Sequence, residues 1–160
     1  MVEKSKVKLM LLPTYLTVIK TSVGTRLFQH LYVKVKGKKT DITNGVYSCA
    51  FYVSSILAIF NLIATTHATV EGTKGDMIRR GWKSVNKPKI GSVLIWEPVK
   101  SKNGKFHKHI GFYIGNKKAI SNSSRKRSPV IHHWTFGKKN GKLGRKIELI
   151  LWHNNLGLPR

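Results

Sequence analysis

The sequence is short of negative charge. Of its 160 residues, 6 are Asp or Glu and 30 are Lys or Arg, giving a formal net charge of +24. The acids are Glu3, Asp41, Glu71, Asp76, Glu97 and Glu148, and no two lie close in the chain. Glycoside hydrolysis needs two facing carboxylates, which here would have to come from distant positions. A Ca²⁺ or Mg²⁺ cage needs several oxygen ligands and is disfavoured for the same reason. Cysteine is scarcer still, with Cys49 alone. One thiol excludes a disulfide framework and a cysteine-based zinc site within one chain. Long apolar runs are missing as well, and no segment reaches the roughly 18 apolar residues of a membrane span. Lys4, Lys6 and Lys8 precede Leu9-Met10-Leu11-Leu12-Pro13, a faint likeness to a signal peptide. Pro13, Thr14 and Thr17 interrupt the apolar stretch, and no small-residue cleavage site follows. The expectation is no signal peptide, hence a cytoplasmic protein or one exported by a non-standard route.

What is present suffices for a folded domain. The chain is 41% hydrophobic with four Trp, which a disordered basic tail is not. Its length suits one domain, expected to be monomeric, with a short extension. Residues 1–25 are poorly patterned and read as an N-terminal extension, leaving residues 26–160 as the domain. Val33 and Val35 alternate with Lys34 and Lys36 as in a strand, and a turn is expected at Gly37-Lys38-Lys39. Asn44-Gly45 is a stronger turn signal.

The longest uncharged stretch runs from Ile42 to His67. Its centre, Cys49 to Ile63, has no Gly or Pro and is apolar on nearly all sides, as a buried helix is. Ser48 is placed to cap it through its side-chain oxygen. A second short helix is expected over Asp76 to Trp82, ending at Gly81. Beyond Pro88, short strands are expected at Ile90–Trp96, Lys108–Ile114, Lys118–Asn122, Val130–Phe136 and Lys146–Trp152. Helices first and strands after indicate an α+β fold.

The chemistry centres on Cys49. A helix start favours a thiolate through the macrodipole and its unpaired amides, so a depressed thiol pKa is expected. Those amides also suit an oxyanion hole. A thiolate nucleophile needs an imidazole partner, and His109 is the candidate. In Lys108–Ile114 the alternation places Ile110, Phe112 and Ile114 on one face, with His109, Gly111 and Tyr113 on the other. Gly111 leaves space beside the imidazole. A third residue should fix the imidazole tautomer. A two-residue loop at Gly115-Asn116 would set His109 opposite Asn122, whereas a three-residue loop at Ile114–Asn116 would set it opposite Ser121. His132 and His133 are further options. His107 and His109, at i and i+2 on one strand face, could with His132 and His133 also form a zinc site, but a Cys–His hydrolase needs no metal, and no cofactor is expected.

Three segments carry a family resemblance. Tyr47-Ser48-Cys49-Ala50-Phe51-Tyr52-Val53-Ser54 resembles the nucleophile motif of the NlpC-type cell-wall peptidases, papain-like hydrolases related to the cysteine- and histidine-dependent amidohydrolases. Pro88-Lys89-Ile90-Gly91-Ser92-Val93-Leu94-Ile95-Trp96 resembles that family's strand between nucleophile and histidine. His109-Ile110-Gly111-Phe112-Tyr113-Ile114-Gly115-Asn116 is similar to its His-Val-Gly-Ile-Tyr-hydrophobic-Gly segment. The segments occur in the family's order between about Asp41 and Ser124.

The resemblance implies a papain-like fold, with a central helix carrying the Cys packed on an antiparallel sheet of about five strands. It implies hydrolysis of amide bonds in peptidoglycan stem peptides, with Cys49 as nucleophile and His109 as general acid/base. The family's third residue falls at Ser121. Asn122 is adjacent and is favoured narrowly, because Asn fills this role in other papain-like enzymes. Tyr47 and Ser48 would flank the substrate or oxyanion site. The chain departs from the family at Ser48, where Asp is usual, and at Ala50-Phe51-Tyr52, where Ser-Gly-Phe is usual. In the family those polar positions help bind the substrate's free amine.

The cationic excess implies a polyanionic neighbour, such as anionic cell-wall material. Nucleic acid is a less specific option, because no recognisable nucleic-acid-binding motif is present. Two alternatives to hydrolysis follow: a cationic binding module on an inactive hydrolase scaffold, and a thiol acyltransferase.

Overall fold

The computed structural model describes residues 7–157. Lys4 and Lys6, part of the leader-like stretch, lie outside the described residues, as does Glu3. Three helices, α1 (Leu11–Thr21), α2 (Cys49–Ile59) and α3 (Val70–Arg79), accompany ten strands. The strands are β1 (Tyr32–Val35), β2 (Lys38–Asp41), β3 (Lys83–Ser84), β4 (Val93–Lys100), β5 (Phe106–Gly115), β6 (Lys118–Ser123), β7 (Ser128–His133), β8 (Lys138–Lys139), β9 (Lys142–Leu143) and β10 (Ile147–Trp152). Six of them form an antiparallel sheet in the order β3-β10-β4-β5-β6-β7. β1–β2 and β8–β9 are separate hairpins. The fold is α+β. Among the described residues no helix is long and apolar enough to cross a membrane.

Helix α1 falls within residues 1–25, the stretch expected to be a poorly patterned extension. It packs into the same core as α2, with Tyr15 and Ile19 fully buried. Two buried phenols tie this part of the core together. Tyr15 Oη donates to the Gly91 carbonyl at 3.0 Å, and Tyr52 of α2 bonds Ser22, the residue after α1, at 2.8 Å. Both rings meet Phe112 of β5 edge-on, with centroids 5.8 and 5.6 Å away. Such pairs contribute about 0.5–1.5 kcal/mol beyond area burial.

Helix α2 starts at Cys49 as expected, but it ends at Ile59 rather than Ile63. Asn61 adopts φ 55, and the Leu62 amide returns to the Leu57 carbonyl at 2.9 Å. This is a left-handed helix stop. Helix α3 begins earlier than expected, because Thr69 caps it by accepting from the Gly72 amide at 3.0 Å. It ends at Arg79, short of Trp82. The first hairpin turns at Lys36-Gly37, with φ of 46 and 80, so Lys38 and Lys39 belong to β2 rather than to the turn.

The hairpin from β5 to β6 follows neither expected register. Its turn residues are Asn116 and Lys117, with φ of 50 and 58, the pattern of a tight two-residue turn. A bulge between Tyr113 and Gly115 then shifts the ladder, which pairs Gly111 with Ser121. His109 is therefore directly opposite neither Ser121 nor Asn122.

Candidate active site

Alternation along β5 sends Ile110 and Phe112 into the core beneath α1 and α2. His109 and Gly111 face the other way, with Trp96 of β4. The helix and the imidazole thus lie on opposite faces of the sheet. Cys49 packs against the helix-side core, where the β5–β6 ladder gives out. The ladder from β5 to β6 runs no further toward this end than Gly111, and the Cys49 thiol meets the backbone amide of Ile110 there.

His109 is held by a chain of three hydrogen bonds. Its Nε2 lies 2.8 Å from Ser121 Oγ, Ser121 Oγ lies 2.7 Å from His132 Nε2, and His132 Nδ1 lies 2.8 Å from the His133 carbonyl. The end of the chain sets its direction. A carbonyl only accepts, so His132 Nδ1 carries a proton and donates it. Burial pushes the His132 pKa down, which keeps the ring neutral and leaves Nε2 as an acceptor. The Ser121 hydroxyl therefore donates to His132 and accepts from His109 Nε2–H. His109 is left with an unprotonated Nδ1, the form a general base requires.

The diagonal contact from His109 to Ser121 passes over Gly111. A Cβ there would stand 2.6 Å from the Ile120 carbonyl oxygen and 2.7 Å from Ser121 Cβ. Trp96 packs beside His109 with ring centroids 5.5 Å apart, and its Nε1 donates to the Trp134 carbonyl at 2.7 Å. Phe136 lies flat on His132, with centroids 4.0 Å apart and planes 16° apart, and also approaches His109. Phe136 takes φ 57, a conformation that costs a non-glycine residue about 1–3 kcal/mol. The turn that holds it is ordered by His133 Nδ1, which accepts from the Thr135 and Gly137 amides.

Two electrostatic features shape the pair. Burial, then the charge of Arg145, with the neighbouring His132 ring as the least cause, lowers the His109 pKa from 6.5 to about 3. Burial raises the Cys49 pKa, although the Ile110, Ala50 and Cys49 amides and the Arg145 charge oppose the rise. The depressed thiol expected from the helix start is thus overturned, because desolvation outweighs the amides. The resting site holds a neutral thiol and a neutral imidazole. Among the described residues no hydrogen bond joins them. Arg145 is fixed by donating from Nε to the Glu97 carbonyl at 2.9 Å and from Nη2 to the His107 carbonyl at 2.6 Å.

The other expected site residues lie nearby in different roles. Asn122 is buried on the opposite face from Ser121 and donates from Nδ2 to the Gly45 carbonyl at 2.8 Å. It braces the loop before Cys49 and does not touch His109. Ser48 precedes α2 but makes no side-chain cap; its hydroxyl donates to the Gln29 carbonyl at 3.3 Å. Tyr47 is half-exposed, packs at a tilt against His107 with centroids 5.2 Å apart, and accepts from Asn103 Nδ2. No group of three or more His, Cys, Asp or Glu is gathered for a metal among the described residues. Arg145 and Phe136 were missed from sequence, since no local spacing links them to Cys49 or His109. His132 was visible only as one of several nearby histidines.

No family model matches the chain, and no curated protein matches it.

Proposed function

We propose that the protein is a thiol-dependent amide hydrolase of papain-like type, acting on cell-wall peptides. The observation that carries this is the oriented chain from His109 through Ser121 and His132 to a carbonyl, on the strand whose Ile110 amide meets the Cys49 thiol. A structural histidine needs no relay that frees Nδ1 as a base.

The neutral resting pair sets the order of events. Cys49 attacks the amide carbonyl as its proton passes to His109 Nδ1, so no free thiolate accumulates first. The Ala50 and Ile110 amides, which already face the sulfur, donate to the oxyanion. The imidazolium formed on His109 is steadied through Nε2–H by Ser121. It returns its proton to the leaving amine, giving an acyl-enzyme and free amine. Water then attacks the acyl carbon, giving its proton to His109 and releasing the acid and the thiol. Arg145 favours a thiolate-like sulfur at the moment of attack and disfavours a resting imidazolium. Wall peptides suit the strongly cationic surface, because peptidoglycan carries anionic groups.

The direct test incubates purified protein with peptidoglycan and compares Cys49→Ala. Peptide release is expected from the wild type and not from the variant. Equal release by both would overturn the proposal. A second reading, a cationic binding module on an inactive scaffold, is favoured by the raised Cys49 pKa. It would show as a thiol inert to iodoacetamide together with tight, salt-sensitive polyanion binding. Acyl transfer would show as amide products when amine acceptors are added.

A further inference from the structure

A convergence of positive charge lies outside that site. A cavity of about 450 Å³ opens between the segment after α1 and the turn from β6 to β7. Arg26, His30, Arg125, Lys126 and Arg127 line it, with Gln29. Tertiary contacts build it. The Gly24 amide donates to the Pro129 carbonyl at 2.9 Å, and Gln29 Nε2 donates to the Arg127 carbonyl at 3.0 Å. The turn is tied by the Arg127 amide to the Ser123 carbonyl at 2.7 Å, with Arg127 at φ 54.

The charges are uncompensated. Among the described residues, Arg26, Arg125, Lys126 and Arg127 form no ion pair. Among the described residues, the carboxylate bonded to the cavity lining is Asp41, which is already engaged by His30 Nδ1 at 2.6 Å and by the amides of Leu31, Thr43 and Asn44. The His30 bond, together with those amides, holds the Asp41 carboxyl well below the usual carboxylate range. Four like charges around one concavity repel each other and focus an attractive field on an incoming anion.

We infer that this cavity binds a diphosphate group. Three arginines present flat donor forks that match phosphate oxygens two at a time. Four cations match the charge of two linked phosphates, and the volume exceeds what one oxyanion fills. The inference does not rest on the thiol chemistry. The two places nevertheless share a wall. Gly45, four residues before Cys49, backs directly onto Arg127, and a Cβ on it would stand 2.6 Å from Arg127 Cβ. Its amide donates to the Gln29 carbonyl, and its carbonyl accepts from Asn122. A ligand in the cavity would therefore press on the loop that leads to the nucleophile.

Calorimetric titration of the full chain with inorganic pyrophosphate at low salt tests this. Saturable binding at one site per chain is expected, weakening as salt rises. Arg26→Gln with Arg125→Gln should weaken it by about tenfold or more. Lys138→Gln with Lys139→Gln, on β8, removes the same charge elsewhere and should change it by less than about twofold. All four side chains are exposed, so folding is not at stake, and Cys49→Ala should bind as the wild type does. Equal weakening by the two double variants, or no saturable binding, would overturn the inference. Adenosine diphosphate in place of pyrophosphate separates the sources: comparable binding means the diphosphate end of a larger molecule, and pyrophosphate alone means the free ion.

Discussion

On one face of the six-stranded sheet, Ile110, Phe112 and Ile120 lie beneath α1 and α2. On the other, His109, Ser121 and Trp96 lie beneath one turn that carries Phe136. The same strands supply both. The helix-covered face is closed by area, with apolar side chains and aromatic edges fitting in bulk. The turn-covered face has a smaller apolar cluster around Leu94, Trp96 and Ala119, joined by a hydrogen-bonded chain and a half-exposed Phe136 ring held at a costly φ. Burial gives shape on the first face. On the second it changes chemistry, by holding His109 and His132 neutral. Gly111 stands at the join, where a side chain would push the two strands' residues apart.

Substitutions can break this division of labour one face at a time. Phe112→Ala removes the ring that both Tyr15 and Tyr52 meet, and should cost about 3–5 kcal/mol in denaturant unfolding. The loss should appear as stability, with residual activity per folded molecule retained at low temperature. Ser121→Ala should do the reverse. It cuts the link that fixes the His109 tautomer, so kcat for peptide release should fall by about 10²-fold. Its unfolding midpoint should stay near the wild-type value. A large loss of stability with unchanged kcat would make Ser121 a packing residue.

A further effect is one of pH. Burial lowers the His109 pKa from 6.5 to about 3. Between those values the unfolded chain binds a proton that the folded chain excludes. Stability therefore falls as pH drops through about 6.5, and this contribution levels off near 3. His132 acts in the same direction. Unfolding midpoints measured from pH 7 to pH 4 should slope down in the wild type and less steeply in His109→Gln. Parallel slopes would sever the link between the half-buried imidazole and stability. Asp76 adds a separate loss at lower pH. Burial raises its pKa, but His67 and the Ala64 and Thr65 amides outweigh that and leave it lowered. Its contribution is present above the ordinary carboxylate pKa and disappears as pH falls through the folded value.

Much of the site was legible locally. A period of two along Lys108–Ile114 is enough to put His109 and Gly111 on the face opposite Ile110 and Phe112. An uncharged, Gly- and Pro-free run is enough to start a helix at Cys49. The partner of His109 was not legible, because the choice between Ser121 and Asn122 depends on one residue of register. The bulge before Gly115 supplies that residue, and nothing in the spacing announces it. Helix α1 was missed because Tyr15 and Ile19 become core residues only when Phe112 and Tyr52 are brought against them.

The chain's own order of residues determined the α+β class, the helix start at Cys49, the faces of β5 and the excess of positive charge, since each depends on neighbours within a few positions. The tertiary structure alone decided the rest. It set the register that pairs Gly111 with Ser121 and so brings Ser121 diagonally to His109, recruited His132, Phe136 and Arg145, and gathered the cations of residues 26 and 125–127 around one cavity. It also reversed the expected shift of the Cys49 thiol. A helix start acts on a thiol through local dipoles, whereas desolvation is imposed by everything packed around it, and here the packing prevails.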